Sequence, residues 1–296
     1  MSSTQKFSRR RCSAGFSLIE VLGSIAVMLT VCGAIFSALL TMQRTHSSTM
    51  SKAELHSGVR GTTELLIQEI GQAGALPSAS TALVAPIVQN NVAQPIVLGS
   101  NASMFTGENL LVDTGGLAEI VTLTGVGGNT VTAAFTLPHA QGSPVQPLGV
   151  FPQGILSTST ATKLDLLGDL NNDGTLVLVE YTCDTNAGTL KRSITPITQG
   201  AKNVPDVLMD NLVANPGGAP CFAYATPVVA SGFTFIPSVG LTLSNKTAVI
   251  DPLTGNYATE TKSFLNLAPR NVLAGLKLAQ NSALNHLQPT PANLPQ

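Results

Sequence analysis

The spacing of apolar and polar positions changes period twice along this chain. From Val21 to Met42 there are 22 residues without a charge. As a helix this run would be about 33 Å long, enough to cross a hydrocarbon core of about 30 Å. From 43 to 76 the chain turns polar, and Met50, Leu55, Val59, Leu66, Ile70 and Ala73 return at helical intervals. That spacing predicts an amphipathic helix continuing the apolar one, with Arg60 and Glu64 as an i,i+4 pair. Gly58 and Gly61 weaken its middle, and Pro77 ends it.

Beyond 78 the period drops to two. Runs rich in Val, Leu, Ile and Thr alternate with Gly, Asn, Asp and Pro. Strands are expected at 109–112, 118–124, 130–136, 163–167, 175–182, 189–194, 233–237, 247–250 and 262–267, with turns at Gly127-Gly128-Asn129 and Asn186-Ala187-Gly188. Residues 203–220 look like a long loop, 271–285 like a short helix carrying Leu273, Leu276 and Leu278, and the Pro-rich tail from Pro289 like a loosely held end. The expected fold class is therefore α+β: a long N-terminal spine helix, half transmembrane, packed on a C-terminal antiparallel β-rich domain.

Composition sharpens this picture. Of 296 residues 44% are hydrophobic and only 10% charged, against roughly 25% charged in an average soluble domain. Abundant aliphatic residues and low charge are the opposite of a disordered composition. A net charge of −1 argues against a nucleic-acid partner held by phosphate contacts. Four of the 15 basic residues, Lys6, Arg9, Arg10 and Arg11, lie in the first 15 positions, where there is no acid. Without them the chain has 11 basic against 16 acidic residues. Cations on the N-terminal side of a membrane helix predict that this end stays in the cytoplasm and that the β-rich part lies outside it. A cleaved secretory signal would have a shorter apolar region followed by a small-x-small site. Glu20 is the anomaly: an unpaired carboxylate at the start of a membrane helix costs a few kcal/mol.

Basic leader, Gly15, Phe16-Ser17-Leu18-Ile19-Glu20 and apolar helix together resemble the N-terminal signature of type IV prepilins and type II secretion pseudopilins. The resemblance implies that a membrane prepilin peptidase cuts between Gly15 and Phe16 and N-methylates Phe16. Glu20 then becomes the fifth residue, facing the new amine of its own or a neighbouring subunit. Snorkelling of Glu20 to the interface is the plainer alternative. Gly23, Ser24, Ala26, Gly33, Ala34, Ser37 and Ala38 would let helices approach closely. Many major pilins carry a proline near the position of Ser37, which this chain lacks. Residues 58–74, ending in Ala73-Gly74, are similar to the corresponding stretch of PilW-type minor pilins. On this division residues 1–15 are the leader, 16–76 the spine with 21–42 in the membrane, and 77–296 the globular domain.

Two further features carry candidate chemistry. Asp169, Asn171 and Asp173, with Gly174 and then Glu180, match the twelve-residue calcium loop, so calcium is a candidate ligand. The same Asn172-Asp173-Gly174 between strand-like runs reads equally as a hairpin turn, which would carry Glu180 away. Cys12 would leave with the leader and Cys32 lies in the membrane run. Cys183 and Cys221 remain in the part expected outside the cytoplasm, as a candidate disulfide or as two separate buried thiols. No nucleophile elbow, P-loop, dinucleotide fingerprint or His/Cys metal spacing stands out around His46, His56, His139 or His286, so nothing proposes an enzyme.

The expected function is assembly of a type IV pilus by a minor-pilin-like subunit in the inner membrane, single-pass, its C-terminal domain periplasmic or extracellular. Implied partners are the prepilin peptidase, other major and minor pilins and an inner-membrane assembly platform. A type II secretion pseudopilin is the nearest alternative. A signal-anchored extracytoplasmic binding or hydrolytic protein is the alternative of a different class.

Overall fold

The computed structural model describes Gly15, residues 17–78 and residues 80–296. Helix α1 runs from Leu18 to Gln72, 55 residues, or about 82 Å. Ser17 is its N-cap, its side-chain oxygen accepting the Glu20 N–H at 3.3 Å. The hydroxyls of Ser24, Thr30, Thr41, Thr45 and Thr49 bond back to carbonyls one turn earlier, which satisfies them without solvent. Each residue from Ser17 to Ser47 is exposed, and burial begins at Ser48. Beyond it Leu55, Val59, Leu66 and Ile70 are buried. Met50, expected on this face, is exposed, while Thr62, Thr63 and Glu69 are buried on it instead. The buried stripe is thus more polar than hydropathy alone predicts.

That stripe packs on two antiparallel sheets. One has the spatial order Asp206–Asp210, Thr189–Pro196, Val177–Asp184, Lys163–Gly168. The other is built around Val239–Lys246, with Thr259–Leu267 on one side and Leu212–Val213 and Phe222–Tyr224 on the other. Leu164, Leu166, Val179, Leu190, Leu241 and Leu243 from these sheets share one core with Leu55, Val59, Leu66 and Ile70 of the helix. Residues 81–147 form a separate pair of small sheets around Phe135, Leu110, Leu123 and Val131, so the region read as one 77–296 unit contains a second hydrophobic core. Helix α2, Arg270–Gln280, covers the hairpin of Val228–Ala230 and Phe233–Phe235 with Val272, Leu276 and Ala279.

Three expectations need correction. The stretch 203–220 is not a plain loop, because Asp206–Asp210 and Leu212–Val213 pair with both main sheets. Residues 247–250 are not a strand; the strand is Val239–Lys246, and the Thr247 hydroxyl then turns the chain by bonding to the Val249 carbonyl at 2.8 Å. Ser244 and Asn245, buried polar residues, break the hydropathy alternation of this strand. The C-terminal tail is held rather than loose. Gln288 is fully buried, accepting the Asn109 N–H at 2.8 Å and donating to the carbonyls of Asn109 and Leu148, and Pro291 and Pro295 are buried after it.

Candidate functional site at the helix and its clamp

At the amino end, Gly15 is exposed; Phe16, the predicted methylated residue, and the leader cations lie outside the described residues. Glu20 falls in the first turn of α1, where Ser17 and Glu20 occupy the ends of a Ser-x-x-Glu capping pattern. A carboxylate there also faces the positive end of the helix dipole. The cap hydrogen bond itself is made by the Ser17 hydroxyl and the Glu20 backbone N–H. Glu20, Gly23, Ser24, Val27 and Val31 line one open groove along the exposed helix face, its concavity made by the missing side chain of Gly23 and the short one of Ser24. A second helix could enter there, with Glu20 at the rim.

At the other end the helix is fastened to the sheets by a buried polar clamp. The Tyr181 hydroxyl donates to Glu69 Oε2 at 2.5 Å, and the Arg192 guanidinium donates to both Glu69 oxygens. Tyr181 is fully buried and Glu69 is 2% exposed. Burial, with the Glu69 carboxylate beside it, pushes the Tyr181 hydroxyl well above its ordinary range. Burial opposes the Arg192 charge, but the hydrogen bond and charge of Glu69 outweigh it and hold the guanidinium more firmly protonated than usual. Just past the helix, Gly74 at φ +85° donates to the Leu167 carbonyl at 2.8 Å and accepts from Phe151 at 2.9 Å. A side chain on Gly154 would lie 2.3 Å from the Gly74 nitrogen, so backbone packs directly on backbone here. Sequence reasoning singled out the Ala73-Gly74 pair by resemblance only; its physical basis is this close approach.

Of the four calcium candidates, Glu180 lies apart from the turn that carries Asp169, Asn171 and Asp173. Asp169 accepts the N–H groups of Asp173 at 3.0 Å and Gly174 at 2.9 Å, and Asp173 accepts that of Thr175 at 2.8 Å. Asn172 at φ +54° and Gly174 at φ +83° make the turn between Lys163–Gly168 and Val177–Asp184, the hairpin alternative. Glu180 is carried away along the second strand and pairs with Lys163 at 2.7 Å and Lys202 at 2.9 Å. Burial raises the Glu180 affinity for a proton, but the two lysines outweigh it and hold the carboxyl below its ordinary range. Among the described residues no group of three or more His, Cys, Asp or Glu side chains is placed to hold a metal ion.

Cys183 and Cys221 are joined in a disulfide, with Cα atoms 6.5 Å apart, and it links one main sheet to the other inside the shared core. Two other buried polar groups were missed. His139, with no side-chain exposure, lies between Asp113 Oδ2 at 3.1 Å and Glu119 Oε1 at 2.6 Å, and Ser143 donates to Asp113 at 2.7 Å. The serine hydroxyl meets the acid rather than the imidazole, so this is a stapled loop and not a nucleophile with its base. Glu108, 1% exposed, edges a cavity of about 60 Å³ with Ser103, Thr81 and Gly174. Burial pushes its carboxyl up to about 8, offset only in part by the Phe105 N–H at 3.2 Å. That cavity is far below the few hundred Å³ of an organic ligand site. Compared with known proteins, the chain matches no family model, no curated protein and no solved structure.

Proposed function

We propose that this chain is a membrane-anchored structural subunit that assembles into a filament of the type IV pilus class, a minor-pilin-like protein processed between Gly15 and Phe16. The observation that carries the reading is the division of α1. Its first half, Ser17 to Ser47, is exposed and apolar along 22 successive uncharged residues, and its second half is clamped into two sheets. A helix that buries nothing of its own over that length needs a membrane or other helices around it. Glu20 at the rim of a small-residue groove supports the filament half of the proposal. Hydrolysis of the Gly15–Phe16 bond would leave an ammonium on Phe16, and a carboxylate four residues on is within reach of that amine on its own chain or a neighbour. Pairing in a low-dielectric setting would offset the desolvation of both charges and set the depth at which a subunit docks.

The same site serves a type II secretion pseudopilin, so the machine is decided by the phenotype of a deletion: loss of pili or loss of secretion. The test of the site itself is Glu20→Ala in cells with the peptidase. Cleavage and membrane insertion are expected to persist while the protein disappears from sheared filaments. Unchanged incorporation would contradict the pairing role.

A further inference from the structure

Among the exposed large apolar side chains outside α1, one loop carries four within nine residues: Val249, Ile250, Leu253 and Tyr257, 54%, 52%, 53% and 45% exposed. They occupy the loop joining the strands Val239–Lys246 and Thr259–Leu267. The loop is not loose. Asp251, buried in its middle, pairs with Lys52 of α1 at 2.9 Å and accepts the Leu253 N–H at 2.9 Å, while its own N–H and carbonyl close the turn with Asn256 and Gly255. The loop therefore holds its apolar side chains outward in a fixed arrangement, which is not how a packing defect looks.

Its position along α1 is fixed by three contacts. Asn271 donates to the Gln72 carbonyl at 3.0 Å, Glu260 pairs with His56, and Asp251 pairs with Lys52. Descending the chain from 271 to 251 descends the helix from 72 to 52, so the hairpin lies along α1 with its tip toward the apolar half. Lys52 is ten residues beyond Met42, a rise of about 15 Å, and Ser48, buried beneath the same loop, only about 9 Å beyond it. The headgroup layer extends about 5–8 Å past the hydrocarbon on each side. Measured from Ser48, a tip projecting about one residue lower reaches that layer; measured from the Lys52 pair it projects about two or three.

The chemistry suits an interface. Tyr257 is amphipathic, with Lys246 Nζ 4.8 Å above its ring, and Arg44 stands on the helix between Met42 and the loop. Aromatic rings with a polar handle, aliphatic side chains and cations are the composition that settles at a headgroup boundary.

Resting on the proposed anchoring of α1, we propose that the 247–258 loop is a second membrane contact, inserting Val249, Ile250, Leu253 and Tyr257 into the lipid interface next to the helix. Two contacts fix the tilt of the globular domain over the bilayer, which a single helical stem does not. A neighbouring subunit is the competing occupant. The upright domain then presents the same side to every incoming subunit.

The chain has no tryptophan, so a single introduced one reports without background. Full-length Leu253→Trp, Val204→Trp and Phe36→Trp variants, each reconstituted in phosphatidylcholine–phosphatidylglycerol vesicles with and without brominated lipid, make the comparison. Val204 is 87% exposed and lies just before the strand Asp206–Asp210 of the other main sheet, beside Arg192. The proposal predicts a blue-shifted Leu253→Trp emission that brominated lipid quenches by about twofold or more, with Val204→Trp unquenched. Quenched Phe36→Trp with unquenched Leu253→Trp overturns the loop contact alone. A blue shift that grows with protein density but ignores bromine assigns the loop to a neighbouring subunit and also overturns it. Unquenched Phe36→Trp overturns the anchor, and the loop contact with it.

Discussion

Glu69 and Glu20 are both acids on one helix, and only one of them could be picked out beforehand. Glu20 interrupts an apolar run, so its cost is visible from sequence alone. Glu69 sits in a polar stretch where an acid is expected to face water, and nothing local signals that Tyr181 and Arg192, more than a hundred residues away, close over it. Glu69→Gln leaves the Arg192 charge buried and uncompensated and should destabilise the protein by about 3 kcal/mol, whereas Tyr181→Phe should cost about 1 kcal/mol. Urea unfolding checks the order; equal stabilities of Glu69→Gln and the parent would remove the clamp from the account. Glu108 gives a pH signature of the opposite sign to the paired acids. Its folded carboxyl titrates at about 8, above an unfolded value of about 4.3, so its contribution is present at acid pH and lost as pH rises through that window. Glu108→Gln should therefore be stabilising relative to the parent at about pH 9 by a few kcal/mol and close to neutral at about pH 5. Asp251, held at about 2 chiefly by Lys52, contributes above the ordinary carboxylate range and loses that contribution as pH falls toward 2. Lys52→Ala should flatten this acid limb.

At the scale of elements, the two halves of α1 have separate jobs. Nothing between Ser17 and Ser47 is buried, so removing residues 1–44 should leave the unfolding midpoint of the sheet domain unchanged within error, as read by thermal denaturation in detergent-free buffer. A drop of several degrees would mean that the apolar half supports the core. The spine, and strands that bury alternate side chains such as Asn109–Val112 and Thr130–Phe135, were legible because each buries one face. Strands that carry proline or buried polar residues were not: Asn90–Val97 contains Pro95, Pro144–Pro147 is bounded by prolines, and Val239–Lys246 buries Ser244 and Asn245. Those positions are stabilised by long-range partners, which a local pattern does not contain. The calcium-like spacing also reads as a turn: Asp169 and Asp173 accept hydrogen bonds from their own backbone, and the strand carries Glu180 to Lys163.

For the molecule as a whole, charge and shape point the same way. On the proposed function, a basic N-terminal segment, an exposed apolar half-helix and a disulfide-linked sheet domain would divide one chain between cytoplasm, membrane and an oxidising exterior. The layout of a long apolar helix followed by an antiparallel sheet domain was readable, because it depends on the order of long segments rather than on any single contact. The register of the sheets and the position of the apolar loop beside Lys52 came only with the fold. The most direct test of the central claim is the mass of the mature N-terminus, measured on protein extracted from membranes of cells that contain a prepilin peptidase. The account predicts a chain beginning at N-methylated Phe16. A chain that retains Arg9, Arg10 and Arg11, or one cut beyond the apolar run, would contradict it.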